Sequence, residues 1–389
     1  MKIQNPFNPG KPAKPQELVG RGEQIHDFES FLASTTHESP MNMAVVGVRG
    51  IGKTSLLSKF EETVLAKNCI AIRIDAEEGR FSSVPDLYEE ILGSLHAELK
   101  RRSFAMKWGG KIKDFLNSFS FEISYSDVGL AIRGKEKNNE YVPSVFREKM
   151  LELWSNIKTD VPAVVILIDE AEFLEGITGS LMALRNMFSR LAEKGCGYMV
   201  VLSGRMTFHQ EMSDLFSPLT RFFHLEKLER LTHKDVKKLL DIELSKTNVK
   251  IKDICLEKII DDSEGHPYVV NVMGYILYDK LKEDEKVITL NHYNRYFEDI
   301  VRYLSLDLFD GMYRKVADAE KPVLFEVAKA GKEVSMSQIA KNMKIKAGLI
   351  STSLKRLTDK NCLLKVKRGE YIIFHKLFRY YLLKKLQTE

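Results

Sequence analysis

The sequence predicts an α/β domain with a parallel sheet, followed by a helical domain and a basic helix-turn-helix module. Short apolar strands alternate with amphipathic helices over the first 230 residues. Every periodic stretch from Thr232 to about Leu304 has helical spacing. Residues 313–389 contain 18 Lys and Arg against 7 Asp and Glu. These observations divide the chain into an extended lead-in (1–17), an α/β domain (18–230), a helical domain (231–312) and a C-terminal module (313–389).

The strands of the α/β domain are predicted from short runs of apolar, β-prone residues. They are Met41–Val46, Cys69–Asp75, Val164–Ile168, Tyr198–Leu202 and Phe222–Leu225. Helical spacing predicts helices between them, over Gly22–Phe31, Lys53–Ala66, Leu87–Leu99 and Ile177–Leu191. Such alternation is typical of a parallel sheet with both faces covered. The alternating stretch Phe119–Arg133 predicts a hairpin inserted into this domain.

Composition excludes several classes of protein. The chain is 44% apolar and 29% charged, as in globular proteins. Its longest apolar run, Ala163–Ile168, is far shorter than a membrane span, and its first residues lack a secretory signal, so we expect a cytoplasmic protein without membrane contact. The four cysteines lie far apart, so neither a disulfide framework nor a zinc site is indicated. The lead-in holds four of the eleven prolines, which predicts an extended segment rather than a packed element.

The sequence GVRGIGKT, residues 47–54, fits the pattern GxxxxGK[ST] between a predicted strand and a predicted helix. Glycines let several backbone N–H groups converge on phosphate oxygens, as a polyphosphate site requires. Lys53 would reach the β and γ phosphates, and the hydroxyl of Thr54 would bind Mg²⁺. The alternative is a tight turn with no ligand. The candidate nucleotide-binding set is Gly47, Val48, Arg49, Gly50, Ile51, Gly52, Lys53, Thr54 and Ser55.

A second motif, VVILIDEAEF, places two acids at the end of a buried strand. Asp169 is the candidate metal ligand, because a phosphate-bound Mg²⁺ needs a carboxylate at a neighbouring strand end. Glu170 is the candidate catalytic base that polarises the attacking water. An acid in this second position distinguishes an ATP hydrolase from a protein that only binds nucleotide. We therefore predict ATP and Mg²⁺ as cofactors.

These motifs resemble those of the AAA+ class of P-loop ATPases. The likeness is closest to the STAND branch, especially the archaeal-type, initiator-like ATPases that end in a winged helix. The resemblance begins near Glu17 and implies a P-loop parallel sheet, a helical lid and a C-terminal winged helix. The segment ELVGRGEQIHDFESFL is similar to the family's entry segment, with Gly22 where that pattern has Glu. This implies that Val19, Gly20 and Arg21 lie near the adenine.

The resemblance also implies roles for residues further along the chain. YMVVLSGR, residues 198–205, resembles the sensor strand, so that either Ser203 or Arg205 would face the γ-phosphate. SPLTRFF resembles the segment that supplies an arginine to a neighbouring subunit, which implies this role for Arg221 and self-association through the ATPase domain. The GHP sequence, residues 265–267, is similar to the lid signature in which a proline, here Pro267, closes over the base.

The C-terminal module has the order of a helix-turn-helix protein. Its predicted helices are Lys321–Ala330, Met336–Met343 and Ala347–Lys360, followed by a hairpin over Cys362–Phe374, and together they resemble a winged helix. In the third helix, an inner face is predicted for Leu349, Ile350, Leu354 and Leu357. The candidate DNA-binding residues, on the outer face and at the hairpin tip, are Ser351, Thr352, Lys355, Arg356, Lys365, Lys367 and Arg368.

Charge supports a polyanionic partner for this module. Residues 313–389 have a net charge of +11, whereas residues 1–312 have a net charge of −6, within an overall charge of +5. We therefore expect an ATP-dependent switch that couples ATP and ADP binding to duplex DNA. The alternative is a signalling scaffold whose winged helix binds protein. A small-molecule kinase is disfavoured, because it would have no use for the helical and C-terminal parts.

Overall fold

A computed structural model describes residues 4–105, 141–206, 208 and 217–388. The hairpin predicted over Phe119–Arg133 lies outside these residues. None of the helices in the described ranges is long and apolar enough to cross a bilayer. The chain divides into two compact units, which we call the sheet unit, Ala13–Glu229, and the helical unit, Met1–Pro12 with Arg230–Glu389.

The sheet unit alternates strands and helices, as the sequence predicts. Its elements are α1 (Gly22–Thr36), β1 (Asn42–Val46), α2 (Lys53–Ala66), β2 (Ile70–Asp75), α3 (Val84–Ala105), α4 (Tyr141–Ile157), β3 (Val164–Asp169), α5 (Ser180–Glu193), β4 (Tyr198–Gly204), α6 (Ser217–Phe222) and β5 (Phe223–Lys227). The five strands form one parallel sheet in the order β2-β3-β4-β1-β5. The predicted α/β fold with a parallel sheet is therefore confirmed.

Both faces of this sheet are buried, because apolar residues occupy successive positions of the central strands. Side chains at alternate positions point to opposite faces, so Ala44 and Val46 pack with α3, α4 and α5, whereas Met43 and Val45 pack with α1 and α2. The parallel arrangement brings the carboxyl ends of β1, β3 and β4 to the same edge. That edge is where the predicted phosphate and metal residues lie.

The helical unit contains the remaining elements. Its helices are α7 (His233–Leu244), α8 (Asp253–Ser263), α9 (Pro267–Asp279), α10 (Leu290–Leu304), α11 (Asp310–Arg314), α12 (Lys321–Ala330), α13 (Met336–Met343), α14 (Ser351–Asp359) and α15 (Lys376–Thr388). Its strands are β6 (Lys250–Ile251), β7 (Val287–Ile288), β8 (Val334–Ser335), β9 (Leu363–Lys367) and β10 (Glu370–Ile373). The pair β6 and β7 was not predicted, since two residues are too few to show strand alternation.

The C-terminal part of this unit follows the predicted order of three helices and a hairpin. Strands β8, β10 and β9 form an antiparallel sheet beside α12, α13 and α14. The predicted inner face of the third helix is wrong for Leu349, which is 70% exposed. The reason is that residues 347–349 form a separate 3₁₀ turn, so Leu349 does not share the apolar face of Leu354 and Leu357, which are buried.

Polar contacts join the two parts of the helical unit. Lys376 Nζ lies 2.6 Å from a carboxylate oxygen of Asp261 and 2.8 Å from one of Asp262, at the end of α8. The Nε2 atom of His375 lies 2.9 Å from the carbonyl oxygen of Ser263, and burial lowers the pKa of His375 to about 3, so its ring is neutral. The predicted helical domain and C-terminal module therefore form one compact unit.

The proline-rich lead-in is packed and ends in a 3₁₀ turn at Pro15–Glu17, so the prediction of an extended, unpacked segment is wrong. Phe7 is 2% exposed and lies against α9 at Gly274, where an added Cβ would come within 2.4 Å of the Phe7 ring. Asn5 donates a side-chain hydrogen bond to the carbonyl of Tyr275 at 2.9 Å. A single aromatic residue between prolines gives no periodicity, so the sequence pattern could not indicate this contact.

Replacing Gly265 by alanine should destabilise the helical unit. Gly265 has φ of +70°, and an added Cβ would lie 2.1 Å from the carbonyl oxygen of Leu231. The backbones cannot separate freely, because the N–H of Leu231 donates to the carbonyl of Gly265 at 2.8 Å. We expect a loss of about 2–4 kcal/mol in the free energy of unfolding, measured by urea denaturation. The control is Gly311→Ala, which adds a Cβ where nothing lies within 4 Å. Equal midpoints for the two variants would contradict this account.

Candidate nucleotide site and basic surface

The glycine-rich loop connects β1 to α2 and presents backbone groups at the start of the helix. Gly52 has φ of +102° immediately before α2, a conformation that glycine adopts without strain. An added side chain there would meet nothing within 4 Å, so the requirement for glycine comes from the backbone conformation. The first N–H groups of α2 have no partner within the helix, and the helix dipole adds positive potential. The loop therefore has backbone geometry suited to an anion, and phosphate binding there stays a prediction.

Lys53 lies within this loop. Its Nζ atom donates to the carbonyl oxygens of Gly47 at 3.0 Å and Val48 at 3.4 Å. Burial lowers the pKa of Lys53, while the carboxylates of Glu172, Asp169 and Glu170 oppose that shift. A half-buried ammonium held by carbonyl oxygens is placed to bind an anion in the loop. The neighbouring Arg49 is exposed, and Ile51 is buried.

Asp169 is the centre of the polar contacts at the end of β3. The carboxylate is 4% exposed, and both of its oxygens accept hydrogen bonds. Oδ2 accepts from the hydroxyl of Thr54 at 2.9 Å, and Oδ1 accepts from the hydroxyl of Ser203 and from the N–H of Glu170 at 3.1 Å. The structure thus brings together Thr54 on α2, Asp169 on β3 and Ser203 on β4, although Asp169 is 115 residues from Thr54 and 34 residues from Ser203 in the sequence.

This donor set fits Mg²⁺. The ion prefers oxygen ligands and usually binds proteins through one or two carboxylates while keeping several waters. The hydroxyl of Thr54 and the carboxylate of Asp169 are adjacent, and they supply oxygens from two elements at the mouth of the phosphate loop. The loop itself supplies the N–H groups and the ammonium that a triphosphate requires.

Sequence reasoning missed Arg73. This residue lies on β2, and its Nη2 atom donates to Oδ2 of Asp169 at 2.8 Å. A second guanidinium nitrogen donates to the hydroxyl of Ser58 at 3.0 Å, and Nε lies 3.5 Å from a carboxylate oxygen of Asp75. Arg73 therefore neutralises Asp169 and fixes the orientation of its carboxylate. The only available indication was an arginine inside an apolar strand, which does not identify the partner across the sheet.

Glu170 follows Asp169 with unusual backbone geometry. Its φ of 54° and ψ of 37° lie in the left-handed region, which is strained for a residue with a side chain. This conformation turns the chain sharply after β3. The pKa of Glu170 is raised, mainly by partial burial and then by the charges of Glu172 and Asp169. A carboxylate with a raised pKa is a stronger proton acceptor than an ordinary one, which suits the predicted base.

The two candidate sensor residues lie in different environments. Ser203 is fully buried and donates to Asp169. The guanidinium of Arg205 lies 3.3 Å from Glu175, and its backbone N–H donates to Glu172 at 3.3 Å. Ser203 therefore lies at the candidate metal ligand Asp169, whereas Arg205 contacts Glu172 and Glu175 in the turn after β3. A role toward a γ-phosphate stays a prediction for both.

The entry segment contacts the phosphate loop through Arg21. This side chain is 5% exposed and donates to the carbonyl oxygen of Ile51 at 2.9 Å. Val19 is buried and Gly20 is exposed. The hydroxyl of Ser55 accepts a hydrogen bond from the N–H of Ala13 at 3.0 Å. Arg21 and Ser55 therefore have roles in fixing the loop and the start of α2, and any contact with adenine stays a prediction.

Two other predicted residues belong to elements that supply no side chain to this cluster. Arg221 is exposed in the last turn of α6. Pro267 begins α9, where proline is favoured because the first N–H of a helix has no partner within it. It belongs to the helical unit. The roles predicted for these two residues stay predictions.

The candidate DNA-binding residues form an exposed surface on α14 and the β9–β10 hairpin. The exposed members are Ser351, Thr352, Lys355, Arg356, Lys365, Lys367 and Arg368. Two of the cations have carboxylate neighbours, since Arg356 lies 3.9 Å from buried Glu320 and Lys367 lies 3.2 Å from Glu370. The hydroxyl of Ser351 donates to the carbonyl of Gly348 at 2.9 Å.

Comparisons with known proteins find a family model that matches part of the sheet unit. Residues 17–202 match the family model described as AAA ATPase domain. An uncharacterized HTH-type transcriptional regulator of Methanocaldococcus jannaschii is 22% identical over 393 residues, which cover 95% of this chain and 89% of that protein.

Two solved structures have the same fold over nearly the whole chain. A Walker-type ATPase of Pyrococcus abyssi has a TM-score of 0.64 at 16% identity, covering 97% of this chain and 99% of its own. The ORC2 protein of Aeropyrum pernix, solved in ADPNP–ADP complexes, has a TM-score of 0.62 at 11% identity and covers 99% of both chains. At these identities the likeness shows the fold alone.

Proposed function

We propose that this chain, which contains an AAA ATPase domain with a P-loop fold, is an ATP-hydrolysing switch whose nucleotide state controls DNA binding. The observation that carries the proposal is the contact between the hydroxyl of Thr54 and the carboxylate of Asp169, 2.9 Å apart, near the half-buried ammonium of Lys53. A hydroxyl, a carboxylate and a cation at the mouth of a glycine loop are the set that a magnesium triphosphate requires.

Each residue has a distinct part in the proposed reaction. The loop N–H groups and Lys53 bind the phosphates and stabilise the negative charge that develops on them. Thr54 and Asp169 would hold Mg²⁺, which would supply positive charge to offset the negative charge of the phosphates. Arg73 and Ser203 keep the Asp169 carboxylate oriented. Glu170 accepts the proton of the attacking water. Arg221, exposed on α6, would act on a nucleotide held by a second copy of this chain.

The proposed DNA site is the basic surface of α14 and the hairpin, acting as a winged helix. It is supported by the net charge of +11 over residues 313–389 and by the name of the HTH-type relative. Lysines and arginines at the hairpin tip would contact phosphates, and the exposed residues of α14 would face base edges. Nucleotide binding can control this surface only through a difference in affinity between two states of the protein.

Removing three of these cations should weaken DNA binding and its dependence on salt. We choose Lys355→Ala, Lys365→Ala and Arg368→Ala, because all three side chains are exposed, whereas Arg356 lies beside buried Glu320. Loss of three phosphate contacts should reduce the slope of log K against log salt by about 3 and lower affinity at least tenfold at low salt. Fluorescence anisotropy with a labelled duplex measures both quantities.

The matched control removes the same charge from another exposed face. Lys234, Lys237 and Lys238 are exposed on α7, so their replacement by alanine should leave the salt slope unchanged if the basic surface is the DNA site. Equal losses in the two triple variants would indicate nonspecific attraction and contradict the proposed site.

A protein partner is the second candidate for this surface. Three apolar side chains of the same module are exposed, Leu349 at 70%, Val366 at 46% and Ile345 at 39%, and a protein partner would bury them. If duplex DNA does not bind in any nucleotide state, the alternative of an ATP-dependent assembly scaffold is favoured. Measurement of size with ATP, with ADP and with added duplex separates the two functions.

A further inference from the structure

Three side chains with metal-binding chemistry meet at the edge of the sheet unit, outside the nucleotide site. They are Asp27 on α1, and His224 and Glu226 on β5. One ligand atom from each side chain lies within 4.8 Å of the other two. The Nε2 atom of His224 is 3.0 Å from Oε1 of Glu226. None of these residues is among the candidate nucleotide-binding or metal-binding residues, although Asp27 lies in the helical part of the entry segment.

The packing of α1 on the sheet assembles this cluster. His224 and Glu226 are two residues apart on β5, so their side chains point to the same face of the strand. Asp27 and Phe31 are one turn apart on α1 and therefore lie on the same side of that helix. The ring of Phe31 contacts the ring of His224 edge to face, with centroids 5.0 Å apart and an interplanar angle of 78°. Phe31 thus orients the imidazole toward the carboxylates.

The cluster has a charge that the described residues do not balance. Glu226 is only 9% exposed. Within the part of the chain that the structure describes, no Lys or Arg forms an ion pair with Asp27 or Glu226, and the hydrogen-bonding partner of Glu226 is the imidazole of His224. Buried carboxylates are normally paired with cations or coordinate metals. Glu226 is the buried carboxylate of the cluster, Asp27 is half-buried and the imidazole of His224 is exposed, so a cation bound among them would balance the charge and remain open to solvent.

We propose that Asp27, His224 and Glu226 form a site for a divalent transition metal of the Zn²⁺ class. An imidazole nitrogen with two carboxylate oxygens suits Zn²⁺ or Co²⁺, whereas Mg²⁺ and Ca²⁺ prefer oxygen alone. Three protein ligands leave one or two positions for water, so the metal would exchange with solvent. The bound ion joins α1 to β5 and stabilises the sheet unit.

The site has a structural connection to the phosphate loop. Arg21 immediately precedes α1 and donates to the carbonyl of Ile51 in that loop. On the opposite side of the cluster, β5 pairs with β1, with Glu226 opposite Val45. Arg21 contacts the loop, and β1 leads directly into it. A metal that holds α1 against β5 would therefore restrain the loop from both of these elements. The inference does not depend on ATP hydrolysis or on DNA binding.

Calorimetry with ZnCl₂ on the chelator-treated full chain tests this site. Because Asp169 could also bind Zn²⁺, the titration is performed on the parent protein and on Asp169→Asn. We expect the Asp169→Asn protein to bind about one equivalent of Zn²⁺. Adding His224→Ala or Asp27→Asn to that variant should lower the affinity for Zn²⁺ at least tenfold. The matched control, His26→Ala, removes an exposed histidine from the same helix and should leave binding unchanged.

A second readout does not depend on heats of binding. Zn²⁺ should raise the thermal midpoint of the Asp169→Asn protein, and the shift should disappear in Asp27→Asn, which keeps the side-chain shape and removes one ligand charge. The proposal is overturned if the Asp169→Asn protein does not bind Zn²⁺. It is also overturned if the Asp27→Asn and His224→Ala variants bind Zn²⁺ with the same affinity as the His26→Ala control. In that case His224 acts as a hydrogen-bond partner of Glu226 alone.

Discussion

Replacing Glu170 by glutamine should lower ATP turnover at least 100-fold while ATP binding is retained. Glutamine keeps the size of the side chain but has no carboxylate to accept a proton from water. The raised pKa of Glu170 makes the native carboxylate a stronger acceptor. Binding should persist, because Lys53, Thr54 and Asp169 are unchanged and a negative charge near the phosphates has been removed.

Phosphate release under saturating ATP measures this turnover, and calorimetry measures binding. Glu193→Gln is the control, since it makes the same change at an exposed position on the last turn of α5. Turnover of the native protein should rise as pH increases through the pKa of Glu170, because only the deprotonated carboxylate accepts a proton. Normal turnover in Glu170→Gln would remove this residue from the mechanism.

Replacing Lys53 by alanine should reduce ATP affinity at least 100-fold, equivalent to about 2.7 kcal/mol. The ammonium is held in the loop by the carbonyl oxygens of Gly47 and Val48, so it is positioned before the phosphates arrive. Its loss leaves the loop N–H groups without the cation that offsets the phosphate charge. The nearby carboxylates of Asp169, Glu170 and Glu172 would then repel the nucleotide.

A fluorescent ATP analogue gives the affinity of each variant. Lys59→Ala is the matched control, because Lys59 lies on the same helix and forms an ion pair with Glu62 away from the loop. We expect the control to bind as the parent does. If both lysine variants bind nucleotide equally well, the loop is not the phosphate site.

The sequence predicts the sheet strands and the strand–glycine loop–helix order around residues 47–53 well, because both depend on local patterns. The strand before Gly47 and the helix from Lys53 are defined by apolar spacing and by glycine, within a dozen residues. The position of Asp169 also follows from a local pattern, since an acid after a β-prone run lies at the end of a strand. Similarly, the helix over Lys321–Ala330 is observed where its spacing predicts it.

The contacts of these residues could not be predicted, because they cross the sheet. Arg73 and Ser203 meet Asp169 only because β2 and β4 flank β3, an order that local patterns do not specify. The exposure of Leu349 depends on a 3₁₀ turn that breaks the helical period. The packing of Phe7 depends on Gly274, more than 260 residues away.

The most direct test is calorimetric titration of the full chain with ATP in the presence of Mg²⁺. We predict one binding event per chain, which is lost in Lys53→Ala. The absence of any heat in the parent protein, or equal heats in the parent and in Lys53→Ala, would contradict the assignment of residues 47–54 as the nucleotide site.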